Sequence, residues 1–307
     1  MTTTEPRAGA TAAGPDLTQL DAWERGGTYT TFRGHRVFYR REGAGPALVC
    51  VHGYPTASWD WHKLWPELVQ RLDVVAPDML GFGFTDKPKG HAYSIVEQAE
   101  LHLALLAELG IQEAHLLCHD YGVSVGQELL ARHAEGRTPR WRSITLLNGG
   151  LLPEMHRPRP IQRVLASPIG PLVSRLSGPG RFSRSLARVF GPHTQPTRDE
   201  LKSFYALVER GGGKRALAEL IAYMEERRAQ RERWVGALLT TEVPLRLING
   251  VHDPVSGGHL VHRLEQLRPG LDAVRLPVGH YPQVEAPTEV LAALLEFVAR
   301  CDPHVVR

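Results

Sequence analysis

Four short stretches of this 307-residue sequence place polar side chains directly after apolar runs. They are His52-Gly53-Tyr54-Pro55, His119-Asp120-Tyr121-Gly122, Asp253-Pro254 and Gly279-His280-Tyr281. Two acids and a histidine in this order can carry out nucleophilic catalysis: one carboxylate attacks carbon, the histidine activates water, and the other acid orients the histidine. A carboxylate is already ionised at neutral pH and suits an sp3 carbon, such as that of an epoxide or an alkyl halide.

Asp120 lies at the centre of a predicted strand-to-helix turn, with Cys118 two residues before it and Gly122 two residues after it. A sharp turn of this kind exposes its central side chain and needs small neighbours. We therefore predict that Asp120 is a nucleophile, whose attack forms an ester that water then hydrolyses. The turn alone would also fit an aspartate that only caps the following helix.

His280 is the predicted base for the hydrolysis of that ester, because an imidazole can take a proton from water near neutral pH. Asp253 is the predicted acid that accepts the His280 ring N–H. The alternatives are a surface histidine, one of 15 in the chain, and an ordinary Asp-Pro turn. Asn148, at the end of the preceding strand, cannot supply a charge, which favours Asp253.

The elements that position these residues follow an α/β pattern. A hairpin (TYTTF and HRVFYRRE) precedes apolar strands that alternate with helices, which indicates a mostly parallel sheet covered on both faces. Predicted helices cover 58–69, 93–109 with Gly110 at its end, and 123–133. The strand pattern stops over 151–239, where helices are predicted near 199–209 and 214–228, and it resumes afterwards.

These patterns divide the chain into a flexible tail at 1–15, a core at 16–150 and 240–307, and a helical cap at 151–239. The composition is that of a globular protein, with 22% charged residues and a formal net charge of +3, which does not by itself indicate nucleic acid binding. We expect neither a signal peptide nor a membrane span. Three cysteines, without a disulfide pattern, suggest a reducing cytoplasm.

Five motifs together resemble the α/β-hydrolase superfamily, and within it the aspartate-nucleophile branch of epoxide hydrolases and haloalkane dehalogenases. They are HGYPTASWDW, DMLGFGFTDKP, CHDYG, NGVHDP and GHYPQVEAP. Cap stretches at Met155–Pro158, Val189–Pro196 and Arg231–Leu238 are similar to the mesoderm-specific transcript subgroup. The resemblance implies an eight-stranded sheet, a cap, no metal or organic cofactor, and a monomer or homodimer.

The same resemblance assigns further site residues. The backbone N–H groups of Tyr54 and Tyr121 would form the oxyanion hole, and a cis peptide bond before Pro55 would shape the loop that carries Tyr54. The expected substrate-binding residues are His52, Pro55, Trp59 and Tyr281. For His52, a structural role is favoured over a catalytic one.

An epoxide hydrolase also needs an acid for the ring oxygen, and members of the family use cap tyrosines for this. The cap of this chain offers Tyr223, whose surrounding sequence resembles the equivalent helix, and Tyr205. Each could instead be a packing residue. Dehalogenases usually have tryptophan after the nucleophile and often asparagine in the first loop, where this chain has Tyr121 and Tyr54.

We therefore predict hydrolysis of a small apolar epoxide to a diol. The alternatives are haloalkane dehalogenation and a catalytically idle protein that binds a lipid or a protein. Ester hydrolysis would normally use serine at position 120. The stretch 155–198 contains arginines and no acid, so it could meet an anionic partner or membrane surface, or be an ordinary solvated face.

Overall fold

A computed structural model describes residues 17–305, so the tail predicted at 1–15 lies outside the described residues. Eight strands in this range form one sheet in the order β1-β2-β4-β3-β5-β6-β7-β8. β1 and β2 run antiparallel to their neighbours, and the remaining pairs are parallel. The predicted α/β-hydrolase architecture is confirmed. The strands are β1 Thr28–Phe32, β2 His35–Glu42, β3 Ala47–Val51, β4 Asp73–Pro77, β5 Glu113–Cys118, β6 Arg140–Leu146, β7 Leu245–Gly250 and β8 Asp272–Leu276.

Helices cover both faces of the sheet and fill the interval between β6 and β7. The α-helices are α1 Thr18–Arg25, α2 Trp65–Leu68, α3 Ile95–Glu108, α4 Tyr121–Ala134, α5 Pro160–Leu165, α6 Gly170–Leu176, α7 Pro179–Ala187, α8 Arg198–Glu209, α9 Gly213–Leu220, α10 Tyr223–Ala229, α11 Arg231–Thr240, α12 Gly258–Leu267, α13 Pro282–Glu285 and α14 Pro287–Cys301. Short 3-10 helices occupy Ser58–Trp61, Pro153–Met155 and Arg210–Gly212. None of the helices in 17–305 is long and apolar enough to cross a membrane.

Strand β3 is apolar throughout because its two faces contact different parts of the core. In β3, Val49 and Val51 belong to one hydrophobic cluster, whereas Leu48 and Cys50 belong to the cluster on the opposite face. Side chains along a strand alternate between the two faces, so a strand covered on both sides needs a continuous apolar run. This arrangement leaves the ends of the parallel strands as the place where polar residues can gather.

The helix predicted over 58–69 is wrong in detail. The chain forms a 3-10 turn at Ser58–Trp61 and a separate short helix, α2, that has Pro66 in its first turn. Ser58, Trp59, Asp60 and Trp61 are all buried. Burial of four consecutive residues does not follow the one-sided pattern of an amphipathic helix.

The helix predicted near 214–228 is two helices, α9 and α10, and the insertion contains short helices that the sequence did not indicate. α5, α6 and α7 each have proline in the first turn and span nine residues or fewer. Helices this short show less than three turns of periodicity, so their pattern is weak. We call residues 151–239 the helical insert, and its division from the core at these residues stays a prediction.

Candidate active site

Asp120 lies on a sharp turn between β5 and α4. Its backbone adopts φ 47° and ψ −108°, in the positive-φ region that residues other than glycine rarely enter. A Cβ on Gly122 would lie 2.3 Å from the Val51 carbonyl oxygen, so only glycine fits there. The turn therefore projects Asp120 out of the sheet at a cost in strain, a feature that is common at functional sites.

The loop after β8 brings His280 beside two carboxylates. His280 Nδ1 lies 2.7 Å from Asp253 Oδ2, and Nε2 lies 3.4 Å from Asp120 Oδ1. The backbone N–H of His280 donates to the carbonyl of Val189 in the helical insert at 2.8 Å. Asp120, Asp253 and His280 thus form one contiguous arrangement, although they lie far apart in the sequence.

Asp253 is buried and held by several donors. Its Oδ2 accepts from His280, from the Asn148 side chain at 2.9 Å and from the Ser256 hydroxyl at 2.7 Å. Its Oδ1 accepts from the Val255 backbone N–H at 2.7 Å. Burial would raise the pKa of Asp253, but the His280 charge and these hydrogen bonds outweigh it and lower the pKa to about 2. Asp253 is therefore an anion at neutral pH.

The charges of the three groups reinforce one another. Burial raises the pKa of Asp120, but its hydrogen bond to His280 and the charge of His280 hold the pKa well below its usual range. Burial lowers the pKa of His280, but Asp253 and Asp120 outweigh it and hold the pKa well above the usual range. An imidazolium between two carboxylates is the stable state of the resting site.

A backbone donor faces Asp120 from the loop after β3. The Tyr54 N–H donates to Asp120 Oδ2 at 3.0 Å. Within 17–305, the Tyr121 N–H makes no such hydrogen bond to the carboxylate. The Tyr54-Pro55 peptide bond is cis, as predicted. Asp120 thus has one oxygen held by a backbone donor and the other facing His280.

A cavity of about 460 Å³ separates these residues from the helical insert. Asp120 and His280 line it, together with Tyr54, Pro55 and Tyr281. The insert contributes apolar side chains to the other wall, among them Leu165, Leu186, Val189 and Leu217. The cavity gives Asp120 access to a mostly apolar substrate of modest size.

The two candidate tyrosines of the insert have different surroundings. Tyr223 is buried, with its ring 5.0 Å from that of Tyr121 and 6.0 Å from that of Tyr54. Its hydroxyl makes no hydrogen bond of ordinary geometry among the described residues, although the Gln162 side chain lies close enough to lower its pKa. Burial and the Asp120 charge raise that pKa overall, so the phenol stays protonated.

Tyr205 lines the cavity but its hydroxyl is already engaged. It donates to Glu209 Oε1 at 3.0 Å and accepts from Lys214 Nζ at 3.3 Å. Tyr223, in contrast, is not among the residues that line the cavity. The structure therefore brings Tyr223 to the nucleophile turn and leaves Tyr205 in a polar cluster of the insert.

Two of the expected substrate-binding residues are not part of the cavity lining. His52 is fully buried, its Nδ1 2.8 Å from the Gly53 carbonyl and its Nε2 3.0 Å from the Met79 backbone N–H. Trp59 is buried, with its ring stacked on His62 at 3.9 Å. Both ring nitrogens of His52 are engaged within the core and Trp59 packs there, so we correct their assignment to structural positions.

One contact beside the nucleophile was not predicted. His119, directly before Asp120, has Nε2 2.8 Å from the His280 carbonyl oxygen. Its Nδ1 lies 3.8 Å from Asp60 Oδ2, and Asp60 also accepts from the Thr56 hydroxyl in the first loop. His119 therefore connects the three loops of the site. The HD pair of CHDYG is the only signal of this role in the sequence.

No group of three or more His, Cys, Asp or Glu residues in 17–305 has the geometry of a metal site. Asp120, His280 and the Tyr54 N–H supply the groups that covalent catalysis needs: an ionised carboxylate, a histidine within reach of it and a backbone donor.

Comparisons with known proteins agree with this architecture. The sequence profile of the family described as "alpha/beta hydrolase fold" matches residues 46–287. Mesoderm-specific transcript protein of Mus musculus is 39% identical over 91% of this chain and 88% of its own length. The resemblance of the chain to that subgroup is confirmed.

Two further relatives represent the two chemistries of the aspartate-nucleophile branch. Haloalkane dehalogenase 2 of Mycobacterium tuberculosis is 28% identical over 85% of this chain and 91% of its own. The structure titled epoxide hydrolase CorEH without ligand superposes with a TM-score of 0.74, covering 90% of this chain and 99% of that one, at 19% identity. The second likeness concerns the fold alone.

Proposed function

We propose that the protein, which belongs to the α/β-hydrolase family, is an epoxide hydrolase. The observation that carries this proposal is the ionised Asp120 on its strained turn, with Oδ1 facing His280 and Oδ2 held by the Tyr54 N–H. A carboxylate in this setting is a nucleophile for sp3 carbon and not for an ester carbonyl, where serine is usual.

In the first step, Asp120 Oδ1 attacks an epoxide carbon and the carbon–oxygen bond of the ring breaks. The ring oxygen takes the bonding electrons and needs a proton. Tyr223 is our proposed donor, because its raised pKa keeps it protonated and its hydroxyl has no other firm partner among the described residues. The products of this step are an ester of Asp120, an alcohol and the phenolate of Tyr223, which recovers a proton as the His280 imidazolium becomes neutral.

In the second step, water attacks the carboxyl carbon of that ester while His280 removes a proton from the water. The bond between the carboxyl carbon and Oδ1 then breaks, Oδ1 leaves with the diol and takes the proton from His280, and the water oxygen remains in the regenerated Asp120 carboxyl group. Esterification removes the negative charge of Asp120, one of the two that raise the pKa of His280. The imidazole therefore loses its proton more readily once the ester exists, and it becomes a base when one is needed. Oδ2 becomes the oxyanion, where the Tyr54 N–H already donates.

Asp253 orients the ring of His280 and stabilises its charged form, with Asn148 and Ser256 holding the carboxylate in place. The helical insert acts as a cap that limits the entry of water. The small apolar epoxide would contact Pro55 and Tyr281 in the cavity. No metal or organic cofactor takes part in this scheme.

Dehalogenation is the second candidate, and the 28% identity to a haloalkane dehalogenase favours it. A halide leaving group needs N–H donors, such as indoles, near the nucleophile. Tyr121, whose side chain has no N–H, follows Asp120 at the position where dehalogenases usually have tryptophan. This difference from the dehalogenases favours the epoxide reaction.

The decisive experiment is turnover of styrene oxide by the wild type, Asp120→Ala and His280→Gln, with intact-mass analysis. We expect diol from the wild type, no turnover by Asp120→Ala, and an added substrate mass on the Asp120 peptide of His280→Gln. Bromide release from a bromoalkane without diol formation from epoxides would establish the second candidate instead. The absence of any adduct with either substrate class would exclude Asp120 as the nucleophile.

Tyr223→Phe tests the proton donor, with Tyr205→Phe as its matched control. Because the Tyr223 hydroxyl has no firm partner, its removal should cost little stability. We expect Tyr223→Phe to lower kcat on epoxides about 100-fold, as for loss of a general acid, and Tyr205→Phe to leave kcat nearly unchanged. The reverse result would assign the donor to Tyr205.

The cytoplasm is our proposed location, since Cys50, Cys118 and Cys301 are all free thiols. A monomer or homodimer is the proposed assembly.

A further inference from the structure

The helical insert carries a long stretch of unbalanced positive charge. Residues 155–198 contain eight arginines and no aspartate or glutamate. No ion pair within 17–305 involves any of the eight, which are Arg157, Arg159, Arg163, Arg175, Arg181, Arg184, Arg188 and Arg198. Elsewhere, Arg233 and Arg246 each pair with two carboxylates.

Helix α6, within the same stretch, turns apolar side chains towards solvent. Ile169 is 58% exposed, Leu172 60% and Leu176 67%. Spacings of three and four residues place the three on one side of the helix. Ser174 lies on the other side, where it is buried and donates to the Lys214 carbonyl oxygen. The apolar side of α6 therefore has no partner among the described residues.

Exposed arginines border this apolar side. Arg175 lies in α6 itself, Arg163 lies in α5, and Arg181 lies in the first turn of α7; all three are exposed. Exposed apolar side chains surrounded by arginines are the pattern of a segment that lies in the interface of a membrane. The leucines enter the acyl region, while the guanidinium groups meet lipid phosphates.

We propose that the apolar side of α6 and its flanking arginines, which we call the α6 surface, bind anionic phospholipid membranes peripherally. A second copy of this chain is a poor occupant, because a symmetric contact would bring arginines against arginines. A nucleic acid would satisfy the arginines but would leave Ile169, Leu172 and Leu176 in water. An anionic bilayer satisfies both groups at once.

The position of the α6 surface connects it with the cavity. Three exposed arginines in α7 and directly after it also line the cavity: Arg181, Arg184 and Arg188. Docking through the α6 surface would hold the cavity wall at the lipid interface, where apolar compounds concentrate. Membrane binding itself does not depend on the reaction at Asp120.

The test is co-sedimentation of the full chain with vesicles of phosphatidylcholine alone or of equal parts phosphatidylcholine and phosphatidylglycerol. We expect binding to the mixed vesicles only, weakened by added salt because exposed charges are screened. The double variant with Leu172→Asp and Leu176→Asp should not bind the mixed vesicles. Arg163→Glu with Arg175→Glu should weaken binding at least about tenfold, since each basic residue near the surface contributes about 1 kcal/mol.

Arg25→Glu with Arg71→Glu is the matched control, because both arginines are exposed, lie outside the insert and have no ion-pair partner in 17–305. This control should bind as the wild type does. None of the six substituted residues lines the cavity, so turnover of a soluble substrate should be unchanged in every variant.

Four results would overturn the proposal, and the first three concern vesicle selectivity, the control and self-association. They are equal binding to both vesicle types, equal loss of binding in the Arg25 and Arg71 control, and a dimer in sedimentation velocity that the leucine variants dissociate. The last result would assign the α6 surface to a second copy. Retention of binding by both α6-surface variants would place the contact elsewhere.

Discussion

The side-chain amide of Asn148 donates a hydrogen bond to Asp253 Oδ2 at 2.9 Å, and the same oxygen accepts from His280. The same amide donates to the Gly250 carbonyl, and the Asn148 oxygen accepts from the Gly250 N–H. Asn148 therefore fixes the end of β7 and the orientation of the carboxylate that follows it.

Replacing Asn148 should weaken both the fold and the site. Asn148→Ala removes three buried hydrogen bonds, which corresponds to about 3 kcal/mol of the free energy of unfolding, measurable by urea denaturation. Thr145→Val is the control, since the buried Thr145 hydroxyl has no hydrogen-bond partner in 17–305 and its loss should be close to neutral. Similar losses in the two variants would contradict the role of Asn148.

The strain at Asp120 can be measured apart from its chemistry. Asp120→Gly and Asp120→Ala both remove the carboxylate, but only glycine tolerates φ 47° without cost. We expect the glycine variant to be more stable than the alanine variant by about 1 kcal/mol, the usual scale of such strain. Equal thermal unfolding of the two would show that the turn relaxes without the carboxylate.

Gly122 should not accept any side chain. A Cβ there would lie 2.3 Å from the Val51 carbonyl oxygen and 2.6 Å from that of His52, both in rigid backbone. Gly122→Ala should cost about 2 kcal/mol or more and displace Asp120. Gly236→Ala is the control, because a Cβ in that helix meets nothing within 4 Å, and it should gain about 0.5–1 kcal/mol.

Hydrolysis of the Asp120 ester should slow as the pH falls. His280 must be neutral to accept a proton from water, whereas Asp120, with its lowered pKa, stays ionised for the first step. At low pH the ester should therefore accumulate in the wild type, and in His280→Gln it should accumulate at all pH values. Rapid-quench mass analysis across a pH series would detect it. Accumulation at high pH instead would contradict the assigned base.

Stability should fall on the acid side of neutrality. Burial lowers the pKa of His62, His102 and His115 to about 4 and that of His156 to about 3. In the unfolded chain these residues take up protons near pH 6.5, which the folded state does not allow. Between about pH 6.5 and 4 the unfolded state binds more protons, so the free energy of unfolding decreases as the pH falls.

His280 acts in the opposite direction. Its raised pKa stabilises the fold below about pH 6.5 and the contribution is lost as the pH rises through the folded-state pKa. The urea midpoint should be lower at about pH 5 than at about pH 7, because the loss of stability from the four histidines with lowered pKa exceeds the gain from His280. His102→Leu should reduce this loss of stability at low pH, because the buried His102 Nε2 has no hydrogen-bond partner among the described residues. An unchanged pH dependence in that variant would exclude His102 as a contributor.

The sequence by itself determined the mostly parallel sheet with its starting hairpin, the sharp turn at Asp120, and the acid and histidine that we expected to lie beside it. These features depend on local chemistry: apolar runs form buried strands, Gly122 permits the sharp turn, and parallel strands bring their following loops to one edge. For this reason Asp120, Asp253 and His280 could be selected although 160 residues of chain separate the first from the last.

Only the tertiary structure decided which of the other candidates reach the cavity. His52 and Trp59 lie in the HGYPTASWDW motif, yet contacts with Met79 and His62 hold them in the core. The packing of the short insert helices placed Tyr223 against Tyr121, engaged Tyr205 with Glu209 and left Leu172 exposed. Such contacts join residues far apart in the chain, so neither periodicity nor spacing encodes them.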